Sequence, residues 1–233
     1  MRRATVGLLV APLLALAALP AHAAPKVVTV FTDPAGDAGL NPNNTPTTIA
    51  PVNSAGTDLT KGTITRSKND LKFTVSLGTS LQNYGMLPEA ARLVYQLTTP
   101  GGEMRFTIKS FDIGKPDPVQ QDGTDRIGKT YNGVFRLENC NGSQTVGVLT
   151  LTTCPKVADV PGTFNVSAGT ISWSAPLGKL GAKTGSKILI GSGALNDTGC
   201  YVCIVAHYAE RSLTPHTVID NALADYKYIV PKG

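Results

Sequence analysis

The chain has 233 residues, among them 24 Gly, 16 Pro and 27 Thr, with 42% hydrophobic and 16% charged residues. It is too apolar for a disordered chain and too rich in helix breakers for a helical bundle or coiled coil. The formal net charge is +5. The basic residues are scattered, so no nucleic-acid partner is expected, because that role needs a concentrated basic face.

Residues 1–23 read as a secretory signal peptide. Arg2 and Arg3 form the basic start, residues 6–19 the apolar stretch, and Ala21-His22-Ala23 the small-residue cleavage site. The apolar stretch is shorter than the roughly 20 residues that cross a bilayer. No Cys stands at the end of this stretch, which argues against a lipid-modified N-terminus, and the twin arginine lacks its usual flanks, so general secretion is expected. Removing Arg2 and Arg3 takes Lys+Arg from 21 to 19 against 16 Asp+Glu, a net +3. No later run of 18 apolar residues exists, so no membrane span is expected after cleavage. Residues 24–233 are long enough for one sizeable core and are read as a single domain.

The mature chain reads as an all-β protein. Val28 to Thr32 forms a first strand, leading into a turn at Asp33-Pro34-Ala35-Gly36-Asp37. A Pro/Asn/Thr-rich loop covers 41–56. Residues 59–66 are Thr-rich, Ser67-Lys68-Asn69-Asp70 is a turn, and Leu71, Phe73, Val75 and Leu77 then alternate with polar residues, which predicts a hairpin. Residues 87–91 can hold one helical turn. Leu93, Tyr95 and Leu97 lead through Pro100-Gly101-Gly102 into Met104, Phe106 and Ile108, a second hairpin. Residues 112–130 form a polar loop containing Asp112, Asp117, Asp122 and Asp125. Further strands are expected at 132–140, 145–153, 161–166, 169–175, 186–194, 200–208 and 225–230. The expected fold is an antiparallel, jelly-roll-like β-sandwich of about 10–12 short strands.

Four cysteines in an exported chain favour disulfides, with three possible connectivities. Cys200 and Cys203 are three residues apart, within about 11 Å. Either the two pairs are local, or Cys140 and Cys154 are held within roughly 22 Å of each other by crossed bridges. A hairpin centred near Gly147 would place Cys140 opposite Cys154. Cys140–Cys154 and Cys200–Cys203 are the preferred pairs.

Several chemistries are poorly served. Residues 123–130 (GTDRIGKT) match the phosphate-loop pattern, but that loop needs a buried strand before it and a helix after it. Here Lys115 to Gln121 is Pro-interrupted, and Tyr131 to Phe135 reads as a turn and a strand. Cys200-Tyr201-Val202-Cys203 fits C-x-x-C, yet its redox use needs a helix N-terminus, and its flanks are strand-like. The mature chain has two histidines, His207 and His216, and no G-x-S-x-G or H-E-x-x-H pattern. Two facing acids could still cleave a glycoside, but no catalytic set is identified, and a non-enzymatic protein is expected.

The strongest functional signal is Asp33-Pro34-Ala35-Gly36-Asp37. Pro and Gly force a turn, so two carboxylates project from one tight loop. Asp58 heads the next strand. Hard cations such as Ca²⁺ need several oxygen ligands gathered in this way. A plain capped turn is the competing reading.

This opening resembles that of exported bacterial β-sandwich modules of the DOMON-like and family 9 carbohydrate-binding types. The resemblance continues in Asp58-Leu59, in Leu71 to Leu77, in Gly169 to Leu177 with Leu180-Gly181, and in Ile219 to Ala222 with Tyr226 to Pro231. It implies a sandwich with structural calcium near Asp33, Asp37 and Asp58, with Asp220 a further ligand, and a carbohydrate or cell-surface polymer as partner. Two departures stand out. Sugar-binding members clamp rings between exposed aromatics, whereas this chain has one Trp, Trp173, which alternates in step with Ile171 and Ala175 and so reads as core. Haem-binding members use a Met and a His, for which Met86 or Met104 with His207 would serve. The expected function is a secreted, non-catalytic binding module. A haem-binding electron-transfer domain and a glycan-active enzyme are the alternatives.

Overall fold

The computed structural model describes residues 25–36, 58–78, 91–109, 130–131, 133–146, 149–165, 168–191, 201–206, 217–222 and 226–232. The expected leader therefore lies outside the described residues, as do residues 41–56 and 112–129. Sixteen strands occur among the described residues: β1 Val27–Thr32, β2 Leu59–Ser67, β3 Asp70–Leu77, β4 Ala91–Thr99, β5 Gly102–Lys109, β6 Thr130–Tyr131, β7 Val134–Asn139 and β8 Gly142–Val146. The rest are β9 Leu149–Thr153, β10 Lys156–Asp159, β11 Gly162–Asn165, β12 Thr170–Pro176, β13 Lys187–Ile190, β14 Val202–Ala206, β15 Thr217–Ala222 and β16 Tyr226–Ile229. One 3-10 turn, Leu177–Leu180, joins β12 towards β13. Among the described residues no helix is long and apolar enough to cross a membrane.

The expected all-β sandwich is present. A six-stranded sheet runs β1-β2-β3-β12-β11-β6, and an eight-stranded sheet runs β10-β7-β5-β4-β13-β16, with β14 paired to β4 and β15. All the paired strands are antiparallel. The β2–β3 hairpin turns at Lys68-Asn69, with Ser67 opposite Asp70. The β4–β5 hairpin turns at Pro100-Gly101, with Thr99 opposite Gly102.

Three strand expectations need correction. Residues 145–153 are not one strand: Val146 turns back onto Leu149, and β8 and β9 form a two-stranded ribbon. Gly142 then lies opposite Thr153, which brings Cys140 and Cys154 into a disulfide with Cα atoms 4.1 Å apart. The polar loop does not extend to 130, because Thr130 pairs with Asn165 at the end of β11. Ala91 belongs to β4 rather than to a helical turn; residues 87–90 lie outside the described residues. Strands β10 and β15 are additions to the expected set, both short and half apolar.

The core sits between the sheets. From the first sheet come Ile64, Leu71, Phe73, Val75, Ile171 and Trp173; from the second come Leu93, Tyr95, Leu97, Phe106, Ile108 and Leu137. Trp173 stacks on Phe73, with centroids 5.6 Å apart and planes 9° apart. Tyr95 and Phe106 meet the Trp173 ring edge-on at 5.3 and 5.5 Å. Side-chain alternation explains this arrangement, since Phe73 and Trp173 are opposite each other on β3 and β12, and Tyr95 and Phe106 on β4 and β5. The second sheet is unusual in that its outward side is also buried at Arg92, Val94, Gln96, Arg105 and Thr107.

Among the described residues the Tyr95 hydroxyl has no hydrogen-bond partner, and it is buried. Burial raises it far above its ordinary value of 10.0. A raised value in the folded state means stability that is intact below pH 10.0 and lost as pH climbs past it. Tyr95→Phe removes an unsatisfied group, so stability at neutral pH is expected to hold or rise slightly. Urea denaturation above pH 10 should show a shallower loss for this variant than for the parent; a marked loss at neutral pH would show that the hydroxyl is satisfied. Trp173→Ala, by contrast, is expected to cost about 3–5 kcal/mol in the same assay.

Candidate functional site

The acidic corner is assembled from three places in the chain. After β1, Asp33 donates its backbone N–H to the Thr60 carbonyl at 2.9 Å, which keeps the turn on β2. Gly36 closes the turn at φ 92°, a left-handed conformation that favours glycine. Its N–H points at Asp58 and is 3.1 Å from each carboxylate oxygen. The Asp58 carbonyl accepts from Gly78 at 2.7 Å. A Cβ on Gly78 would lie 2.1 Å from Asp58 Oδ2, so no larger residue fits beside this carboxylate without displacing it.

The next residue carries the linkage to the other sheet. Leu59 donates its N–H to Asp220 Oδ2, and Asn221 donates to Asp220 Oδ1 at 2.8 Å. Asp220 lies opposite Ile204 on β14. It therefore shares the inward side of β15 with Ala222, where an apolar residue would be expected. Asp58 and Asp220 are 5% and 6% exposed. Burying a carboxylate is costly unless it is hydrogen-bonded. Backbone N–H donors supply that compensation, each charge-assisted bond contributing about 1.5–3 kcal/mol.

Asp33, Asp58 and Asp220 are thus brought to one corner, while Asp37 lies outside the described residues. The carboxylate that holds the turn belongs to Asp58, 22 residues further along the chain, rather than to either aspartate of the turn itself. Among the described residues no group of three or more His, Cys, Asp or Glu side chains is arranged to hold a metal ion. Sequence reasoning misses Gly78 and the Leu59 amide. Gly78 comes directly after Leu77, which pairs with Leu59, so a known register would have placed a small residue beside Asp58.

The other sequence signals lie elsewhere in the fold. Trp173 is 1% exposed and internal, so it offers no outer platform for a sugar ring. Met104 is 4% exposed and packed in the core; Met86, His207 and His216 lie outside the described residues. Residues 123–129 also lie outside them, and the next described elements along the chain are the strands β6 and β7 rather than a helix. Cys203 is buried in β14 and disulfide-bonded; its expected partner Cys200 lies outside the described residues.

Comparison with protein-family models, with curated proteins and with solved structures finds no match.

Asp58→Ala removes the charged acceptor for the N–H of Gly36, a residue that is itself exposed, so a loss of about 1.5–3 kcal/mol is expected. Asp159→Ala breaks an ion pair whose carboxylate is 65% exposed, and about 0–1 kcal/mol is expected there. Chemical denaturation of the two variants side by side checks the contrast.

Proposed function

We propose that the protein is an exported, non-catalytic β-sandwich module that binds a polysaccharide or cell-surface polymer, with a structural calcium ion at its acidic corner. The observation that carries this reading is the convergence of Asp33, Asp58 and Asp220, from three distant segments, on one end of the sandwich. Buried Asp58 and Asp220 serve there as acceptors that hold backbone in place, which is a scaffolding role. Carboxylate oxygens of Asp33, Asp58 and Asp220 and carbonyls of the turn are oxygen donors of the kind a hard cation takes; Asp37, of the same turn, lies outside the described residues. Calcium would neutralise the buried carboxylates of Asp58 and Asp220. The leader-like residues 1–23 and the paired cysteines support export.

Two measurements test the reading. Chelation with EDTA is expected to lower the melting temperature, calcium to restore it, and Asp37→Asn to abolish the shift. A melting curve indifferent to EDTA removes the metal from the proposal. In native gels containing polysaccharides, retarded migration is expected with at least one polymer, and unchanged mobility in all of them removes the binding role.

A further inference from the structure

The outward faces of the two sheets differ in chemistry. On the second, the charges on β5, β7 and β10 are paired, Arg105 with Glu138 at 2.8 Å, Arg136 with Asp159 at 3.9 Å, and Lys156 also with Asp159, while Lys187 and Lys227 stand exposed on β13 and β16. On the first, one row of hydroxyls crosses five neighbouring strands. Thr29 lies opposite Thr63, Thr63 opposite Thr74, Thr74 opposite Ser172, and Ser172 opposite Thr163. Sheet geometry spaces these side chains about 4.8 Å apart. The Thr74 and Ser172 hydroxyls bond each other at 2.9 Å, while those of Thr29, Thr63 and Thr163 make no bond to another described residue.

Two ammonium groups flank this row. Lys61 lies opposite Ser76 and Lys72 opposite Thr65, both exposed, on either side of the Thr63–Thr74 pair. Neither has an ion-pair partner among the described residues. The one acid at a described outward position of this sheet is Asp70, at the hairpin end opposite Ser67. Four residues along β2 separate the positions level with the two lysines, about 13 Å.

We infer that this hydroxyl-and-lysine face of the first sheet docks an acidic polysaccharide. The inference rests on the polymer-binding reading above and adds the surface and the charge of the ligand. Complementarity argues for it. Unpaired ammonium groups attract anions, and two of them about 13 Å apart suit charges repeated along an extended chain. Serine and threonine hydroxyls both donate and accept, as sugar hydroxyls do. Among the described residues the face has no aromatic side chain, and its one exposed large apolar side chain is Val27 at the edge, which disfavours a lipid surface. Two lysines are too few for the phosphate neutralisation that nucleic-acid binding requires.

The test is affinity electrophoresis of the mature protein in gels containing polygalacturonate or a neutral glucan, with co-sedimentation on anionic vesicles alongside. Polygalacturonate is expected to retard the protein at low salt, with the effect fading as salt rises. The double variant Lys61→Gln/Lys72→Gln should bind at least about fivefold more weakly. Thr63→Glu, which adds a negative charge to the row and leaves both lysines, should weaken binding in the same direction, whereas Lys156→Gln on the other sheet should not. Unchanged melting curves establish that the variants fold. Polygalacturonate binding that ignores all of these changes overturns the surface and leaves the polymer-binding reading standing. Binding to the neutral glucan alone overturns the acidic partner and leaves that reading standing. Lysine-dependent binding to vesicles without binding to polygalacturonate assigns the face to lipid and overturns the inference. No retardation by any polymer defeats both.

Discussion

Packing Trp173 and Phe73 against Tyr95 and Phe106 is the contact on which the two-layer arrangement rests. The four rings come in cross-strand pairs, one pair from each sheet, and meet edge to face or stacked within 5.0–5.7 Å. Such rings bury large areas, and their edge-to-face contacts add to the gain from burial. The consequence reaches every strand. Once these positions point inward, period two fixes which neighbours are core and which are outward, so both outer faces are chemically free to diverge.

The acidic corner breaks that rule at a defined place. Asp220 takes an inward position opposite Ile204 and directs its carboxylate to the Leu59 amide of the other sheet. An apolar residue there would pack, but it would leave that N–H without its carboxylate acceptor. A buried donor without a partner costs about as much as the packing would supply. The carboxylate also fixes a direction in a way that a methyl group cannot, because its acceptor sites are localised. Asp58 repeats the arrangement one residue earlier towards Gly36. The end of the sandwich is therefore held by polar bonds of specific geometry, with the aromatic core holding its middle.

Range along the chain decides which features are legible in the sequence and which are hidden. Leu71 to Leu77 and Met104 to Ile108 alternate cleanly, and Lys68-Asn69 and Pro100-Gly101 are turn residues, so both hairpins are legible locally. The β8–β9 ribbon is legible only through its cysteines: residues 145–153 keep a strand-forming composition across the reversal, and it is the Cys140–Cys154 pairing that calls for a hairpin near Gly147. β6 and β10 are too short to show a period, and in β15 the apolar Val218 and Ile219 are adjacent rather than alternating. At the corner, the three aspartates are legible as acids near turns or strand ends. Their division of labour is not. The donor for Asp58 is an amide of the turn and the donor for Asp220 is the Leu59 amide, 161 residues away. Backbone donors leave no mark in the side-chain sequence, and only the register brings them together.

Register is specified a second time on the outward side of the second sheet. Arg105 is opposite Glu138, their side chains bond at 2.8 Å, and Thr107 donates to the same Glu138 oxygen at 2.9 Å. At 8% and 13% exposure the pair gives up much of its hydration, and its attraction must offset that loss. Slipping β7 by one residue against β5 would turn Phe135 and Leu137 outward and carry Glu138 into the core. Its carboxylate would then sit among Phe106 and Ile108 without Arg105. The apolar pattern and the ion pair thus penalise the same error independently. Agreement of this kind between levels makes a single register the stable one. It leaves the first sheet, whose outward hydroxyls would tolerate many partners, as the face whose polarity the fold itself does not require.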